Sequence, residues 1–261
     1  MQWSETIGLG AAAAVGGAIN AVAGGGTLVT FPTLLFFGIP SINANATSTL
    51  ALVIGTSGGV YGFRQNISAV KTWLWRLVPV CFLGGLVGSI LLTHTTERTF
   101  SKLVPFLILS ATLLFLSQGL VRRLVRMEQE ARLSGSRRAV WIAIFFQFLV
   151  SVYGGYFGAG IGILMLATLG FLGLRNIHEM NTLKTMLGSL INLVAAVWFI
   201  FKGLIYWPEA GVMTLGAMVG YFLGAHYSQR ISQDRVRQIV TAVGLILSAI
   251  TFYQEFVARR K

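Results

Sequence analysis

Gly24-Gly25-Gly26-Thr27-Leu28-Val29-Thr30-Phe31-Pro32 is the stretch on which the fold turns. It lies inside an apolar run, residues 5–37, and three consecutive glycines are poor material for an unbroken helix. As one helix that run would be about 50 Å long, too long for one membrane crossing and short for two. The glycines therefore predict a broken stretch, two shorter helices joined by unwound backbone. A second interruption, Gly158-Ala159-Gly160-Ile161-Gly162, follows about 135 residues later inside another apolar run, 139–172.

Outward from the first break the apolar residues fall in blocks: 43–63, 73–93 and 99–121, then 179–201, 208–226 and 236–257. Blocks of about 18 to 25 residues cross a hydrocarbon core. Hydrophobic residues make up 55% of the 261-residue chain and charged residues 11%, where a soluble domain carries about a quarter charged. The composition specifies an all-α, polytopic integral membrane protein. Each half holds one Gly-broken stretch plus three transmembrane helices. The domains are a first repeat at 1–121, a basic linker at 122–138 and a second repeat at 139–261. Leu83-Gly84-x-x-Val87-Gly88 recurs as Leu215-Gly216-x-x-Val219-Gly220, and Gly38 has a counterpart in Gly173. The common order of these echoes points to internal duplication.

The net charge of +12 is concentrated rather than spread. Arg122, Arg123, Arg126, Arg132, Arg137 and Arg138 all lie in the linker, which the positive-inside rule places in the cytoplasm. That use of the charge leaves no call for nucleic acid. Met1 to Thr6 holds no Lys or Arg, so no basic region of a signal peptide is expected there. If each broken stretch crosses once, the repeats are parallel; if it re-enters or crosses twice, they are inverted. Both schemes leave equal numbers of cations on the linker side, so charge does not choose. The stretch length suits two half-length helices meeting at glycines, which favours inverted repeats. The basic Arg259-Arg260-Lys261 counts against that choice.

Carboxylates are confined to segment ends and linkers, which argues against a cation pump or a proton relay of acids. Backbone carbonyls remain available to a cation. A half-helix that starts at an unwound point offers N–H groups and a positive dipole end, which suit an anion. Gly24, Gly25, Gly26 and Thr27 form that candidate in the first half. Gly158 and Gly160, with Tyr153 and Tyr156 just before them, form it in the second. The bland alternative is that glycines only let helices approach closely, and for isolated ones such as Gly88 that reading wins.

The next helices start with polar residues. Asn45, Thr47, Ser48 and Thr49 in one half match Asn181, Thr182 and Lys184 in the other. Asn43 reads as a helix cap; Thr49 and Asn181 lie deeper. Lys184 is the sharpest candidate, a cation about two turns into an apolar helix. Its competing role is to snorkel to the interface. Ser189 and Asn192 continue the same face, and Asn20 precedes the first break. Trp73, Trp75, Trp141, Trp198 and Trp207 fit an interfacial belt. The lone Cys81 and the scattered histidines make no metal set, and no nucleophile elbow or phosphate loop is present. An enzyme, a metal centre and a cofactor are therefore not expected.

Three motifs carry a resemblance: the opening stretch, then Gly38-Ile39-Pro40, then Ala46-Thr47-Ser48. Their order, repeated in the second half, resembles the TauE/SafE family, the sulfite exporter or toluene sulfonate uptake permease family. The likeness covers nearly the whole chain. It departs where Gly158-Ala159-Gly160-Ile161-Gly162 replaces a fuller glycine run and Asn181-Thr182-Leu183 replaces the Thr-Ser motif. The resemblance implies a secondary transporter of sulfite, sulfonates or sulfoacetate-like anions in a bacterial-type cytoplasmic membrane. It also implies coupling to an ion gradient, with a proton as the candidate ion. A passive anion channel and a non-transporting scaffold are the alternatives.

Overall fold

The computed structural model describes the backbone of residues 3–22, 25–55, 57, 67–131, 137–171, 177–227 and 233–256. Within them every regular element is a helix. The first half holds α1 (Trp3–Val22), α2 (Thr27–Phe36), α3 (Ser41–Gly55), α4 (Ile67–His94) and α5 (Glu97–Ala131). The second holds α6 (Arg137–Tyr156), α7 (Ile161–Phe171), α8 (Ile177–Phe201), α9 (Trp207–Tyr227) and α10 (Gln233–Phe256). The expected 73–93, 99–121, 179–201 and 208–226 fall on helices, as do 43–55 of the expected 43–63, 236–256 of 236–257 and both broken stretches as far as they are described; 58–63 lie outside the described residues. The arginine linker differs: α5 runs on to Ala131 and α6 begins at Arg137. Leu, Arg, Met, Glu and Gln between 121 and 131 are good helix formers, so the change to polar composition does not end the helix.

Both broken stretches double back. An added Cβ at Gly8 would meet the Phe37 ring, and one at Gly16 would meet Thr30, so α2 runs antiparallel to α1. In the second half Gly154 lies against Ile161, and the Thr168 hydroxyl donates to Gln147 Oε1 at 2.6 Å. These contacts make α6 and α7 a second antiparallel pair.

Across the halves, α1 packs chiefly against α9 and α4 against α6. The recurring Leu-Gly-x-x-Val-Gly sits in both interfaces. A Cβ at Gly220 would collide with the Ala14 carbonyl of α1, and one at Gly88 with the Val152 carbonyl of α6. These glycines bring backbones together, the usual device for helix association in lipid. α5 pairs with α10, and α3 packs on both α9 and α8.

One end of the bundle collects Ser41, Thr95, Leu204 and Tyr206. Glu97 on α5 accepts from Ser41 Oγ at 2.6 Å and from the Ile42 amide at 3.1 Å. Asn43 Nδ2 donates to Leu204 O at 2.9 Å, and the Tyr206 amide donates to Thr47 Oγ1 at 3.1 Å. Asn43 is therefore a cross-link to the turn between α8 and α9 and not the expected cap. The helix starts two residues earlier, where the Glu97 carboxylate takes the exposed amides and complements the dipole. Since α5 begins at this end, its arginine-bearing end lies at the other.

The outside of the bundle is apolar. Phe82 and Leu91 on α4, Phe145 and Phe146 on α6, and Leu215 and Phe222 on α9 are exposed. Asn45, Thr47, Ser48, Gln147, Ser151 and Thr182 are buried. Greasy residues outside and hydrogen-bonded polar residues inside suit lipid as the solvent. Segments Val70–His94 and Glu179–Phe201 are each long and apolar enough to cross a membrane.

Candidate functional site

The site is built on the two breaks. At the first, Gly25 has φ +103°, a conformation that glycine reaches without strain. The turn is closed from within: the Gly25 amide donates to Asn20 Oδ1 at 3.0 Å and the Gly26 amide to the same atom at 3.4 Å. Two of the N–H groups expected to face an anion are thus paired with the chain itself. Buried amides demand a partner, and Asn20, one turn earlier on α1, supplies it. One turn into α2, Thr30 Oγ1 bonds the Gly26 carbonyl at 3.2 Å and meets Ser48 Oγ at 2.7 Å. This hydroxyl pair ties the break to α3. Gly24 lies outside the described residues.

The Thr-Ser pair of α3 is fully buried. Thr47 holds the Tyr206 amide and Ser48 holds Thr30. Thr49 Oγ1 returns to the Asn45 carbonyl within its own helix at 2.8 Å. Thr27 is half-buried at the first position of α2.

At the second break Gly158 and Gly160 have φ +78° and +75°. The amides of Phe157 and Gly158 both donate to Tyr153 O, at 2.9 and 3.2 Å. Tyr153 Oη donates to Ala159 O at 2.7 Å, clamping the turn. Tyr156 Oη lies 3.4 Å from Thr95 Oγ1. Two carboxamides flank this break from other elements. Asn45 Nδ2 on α3 donates to Tyr156 O at 3.1 Å. Asn192 Oδ1 on α8 would stand 3.3 Å from a Cβ at Gly158.

The halves meet here through aromatic rings. Phe31 of α2 packs edge-on against Phe157 with centroids 5.4 Å apart, and Phe100 of α5 packs on Tyr156 at 5.7 Å. Lys184 is half-buried on α8, its stem Cδ 3.4 Å from where a Gly162 Cβ would sit. It therefore lies over the first turn of α7. Asn181 and Ser189 are half-buried on the same helix.

The structure thus groups Asn20, Gly25, Gly26 and Ser48 around the first break, and Tyr153, Tyr156, Gly158 and Asn192 around the second. Lys184 joins the helix that leaves the second. Sequence reading underweighted Asn45, Phe31 and Phe100. Only Asn45 had a signal, its place in the polar start of α3 beside Thr47 and Ser48; the two rings look like any other apolar residue. A buried Gln147, bonded to Thr168 and 3.4 Å from Cys81 Sγ, was not distinguished either.

Residues 9–251 match the profile of the family described as sulfite exporter TauE/SafE. The chain belongs to that family. It is 30% identical over 239 residues to a probable membrane transporter protein of Haemophilus influenzae, covering 91% of this chain and 90% of the relative. It is 27% identical over 246 residues to the probable membrane transporter protein YfcA of Escherichia coli K12, covering 92% and 87%. A probable membrane transporter protein, ORF9, of a Sinorhizobium species is 25% identical over 243 residues, covering 91% and 88%. No solved structure matches. The fold and the family together make this chain an integral membrane transporter.

Proposed function

We propose that this TauE/SafE member is a secondary transporter that carries small sulfur oxyanions or organosulfonates across the cytoplasmic membrane, driven by an ion gradient. The observation that carries the reading is the pair of doubled-back breaks, each set beside a polar stretch of the following helix. Broken helices of this kind form substrate sites near the bilayer midplane in transporters. Lys184, held against the first turn of α7, supplies the fixed positive charge. Its neighbours Asn181, Ser189 and Asn192 offer hydrogen bonds on the same helix. Sulfite and sulfonates present several equivalent oxygens, which such a set of donors suits.

The reading includes inverted repeats. It is supported by α1–α2 and α6–α7 starting from opposite ends of the bundle and by the exchanged pairing of α1 with α9 and α4 with α6. With the arginine-bearing end in the cytoplasm, Ser41, Thr95 and Leu204 face outward.

Reconstituted protein in liposomes tests the function. Saturable uptake of radiolabelled sulfite or sulfoacetate that collapses when the ion gradient is dissipated is expected. Flux that persists without any gradient and does not saturate would make the protein a passive channel. A reporter fused after Lys261 tests the topology, and a cytoplasmic signal there sinks the inverted arrangement.

A further inference from the structure

We infer that the second break binds an alkali cation, with Asn45 Oδ1 among its ligands. This deepens the transporter reading by naming the driving ion, and it rests on that reading for the ion's role.

Asn45 is only 1% exposed. The Tyr156 carbonyl can only accept, so the NH₂ of Asn45 must face it, which fixes Oδ1 as the other atom of the amide. Oδ1 has no hydrogen-bond partner. A buried acceptor left so costs about 1–3 kcal/mol, and the fold retains it beside an unwound turn.

The amides of Phe157, Gly158, Ile161 and Ile163 are all donated to main-chain carbonyls, and the Tyr153 hydroxyl to Ala159 O. Oxygens are also present elsewhere at the break: the Tyr156 carbonyl faces the Asn45 NH₂, and the Gly154 carbonyl and Asn192 Oδ1 lie beside Gly158. Carbonyl and carboxamide oxygens without a carboxylate suit a monovalent ion better than a divalent one. Unwound carbonyls at broken helices hold coupling ions in transporters generally.

An independent feature lies close by. A cavity of about 420 Å³ opens where α2 ends and α3 and α5 begin, and among the described residues its lining includes Glu97, Glu255, Ser41, Ser101 and Thr251 but no lysine or arginine. In a chain of net charge +12 an acidic mouth stands out, and it raises the local concentration of cations. Ser41 in its lining precedes Asn45 by one turn of α3, a rise of about 6 Å.

The test uses the purified full-length protein in detergent, melted in choline chloride, NaCl or KCl at constant ionic strength. Na⁺ or K⁺ should raise Tm saturably over choline, because a ligand bound to the native state stabilises it. Asn45→Leu should lower the apparent ion affinity at least about tenfold. Asn45→Asp, which keeps an oxygen and adds charge, should raise it by a similar factor. Equal melts in all three salts, or a wild-type ion response in Asn45→Leu, overturn the inference. Should Asn45→Leu not fold, an unchanged ion response in Asn45→Asp overturns it instead. These melts contain no oxyanion. A cation response that depends on Asn45, in a protein that moves no sulfur anion, removes the substrate reading alone. Sulfite transport without a cation response removes the ion site alone.

Discussion

At the first break the amides of Gly25 and Gly26 converge on one acceptor, Asn20 Oδ1, supplied by the helix that has just ended. At the second break the position matching Asn20 is Gly154, which has no side chain to offer. There Asn45 arrives from α3 and bonds the Tyr156 carbonyl, Tyr153 reaches forward from one turn back, and Asn192 of α8 lies beside Gly158. The same local event, a glycine interruption in an apolar helix, is finished in one half by a neighbour in sequence. In the other a neighbour in space, Asn45, adds to the bonds that Tyr153 makes within the turn. The first turn is a closed unit, while the second has an acceptor to spare.

Four sets of substitutions can break or sharpen that contrast. The largest effect is expected at Gly26, where an added Cβ would run into the Gly16 backbone of α1. Gly26→Ala should cost about 3 kcal/mol, since backbone cannot move aside as a side chain can. Gly160→Ala, whose Cβ would meet only ordinary contacts 3.6 Å away, should cost about 1 kcal/mol for its positive φ. Thermal melts of the two variants that come out in the reverse order would mean the first break is not the crowded one.

Asn20→Ala comes next. It strips the acceptor from two amides and should destabilise by about 2 kcal/mol, whereas Asn20→Asp, which keeps an acceptor, should restore most of the loss. A melting temperature unmoved by the alanine would show that water or ligand already serves those amides.

Lys184→Ala should weaken sulfite or sulfonate binding about tenfold, the loss of one charge-assisted hydrogen bond, with little change in Tm. Titration of the variant by thermal shift reads this directly. Unchanged affinity would assign Lys184 to the interface as a snorkelling residue. The smallest effect is expected from Tyr153→Phe, which removes the bond to the Ala159 carbonyl at about 1 kcal/mol. No loss of stability there would mean the second turn holds its shape without the clamp.

Much of the architecture is legible in the chain because its causes are local. Apolar block length gives the spans, and a glycine run gives each break, so the expected 179–201 and 208–226 fall within a residue or two of α8 and α9. The helix runs past Arg122 as far as Ala131 because helix propensity there outlasts hydrophobicity. Asn43 is misread because the carboxylate that starts α3 comes from Glu97, 55 residues on. In the candidate site, glycine, lysine and hydroxyl positions stand out by composition. Phe31 and Phe100 do not, since an aromatic ring at a break and one at a lipid face are the same letter.

The sequence by itself determined that this protein lives in a membrane and that its apolar stretches are interrupted twice. Tertiary structure decided which polar group answers which. Asn45 meets Tyr156 across 111 positions of chain, and Asn43 meets Leu204 across 161. Hydrophobicity and helix propensity act over a turn or a span, and so they can be read along the chain. The pairing of unwound backbone is settled only when distant helices close around it, because any carboxamide that arrives in the right place will serve.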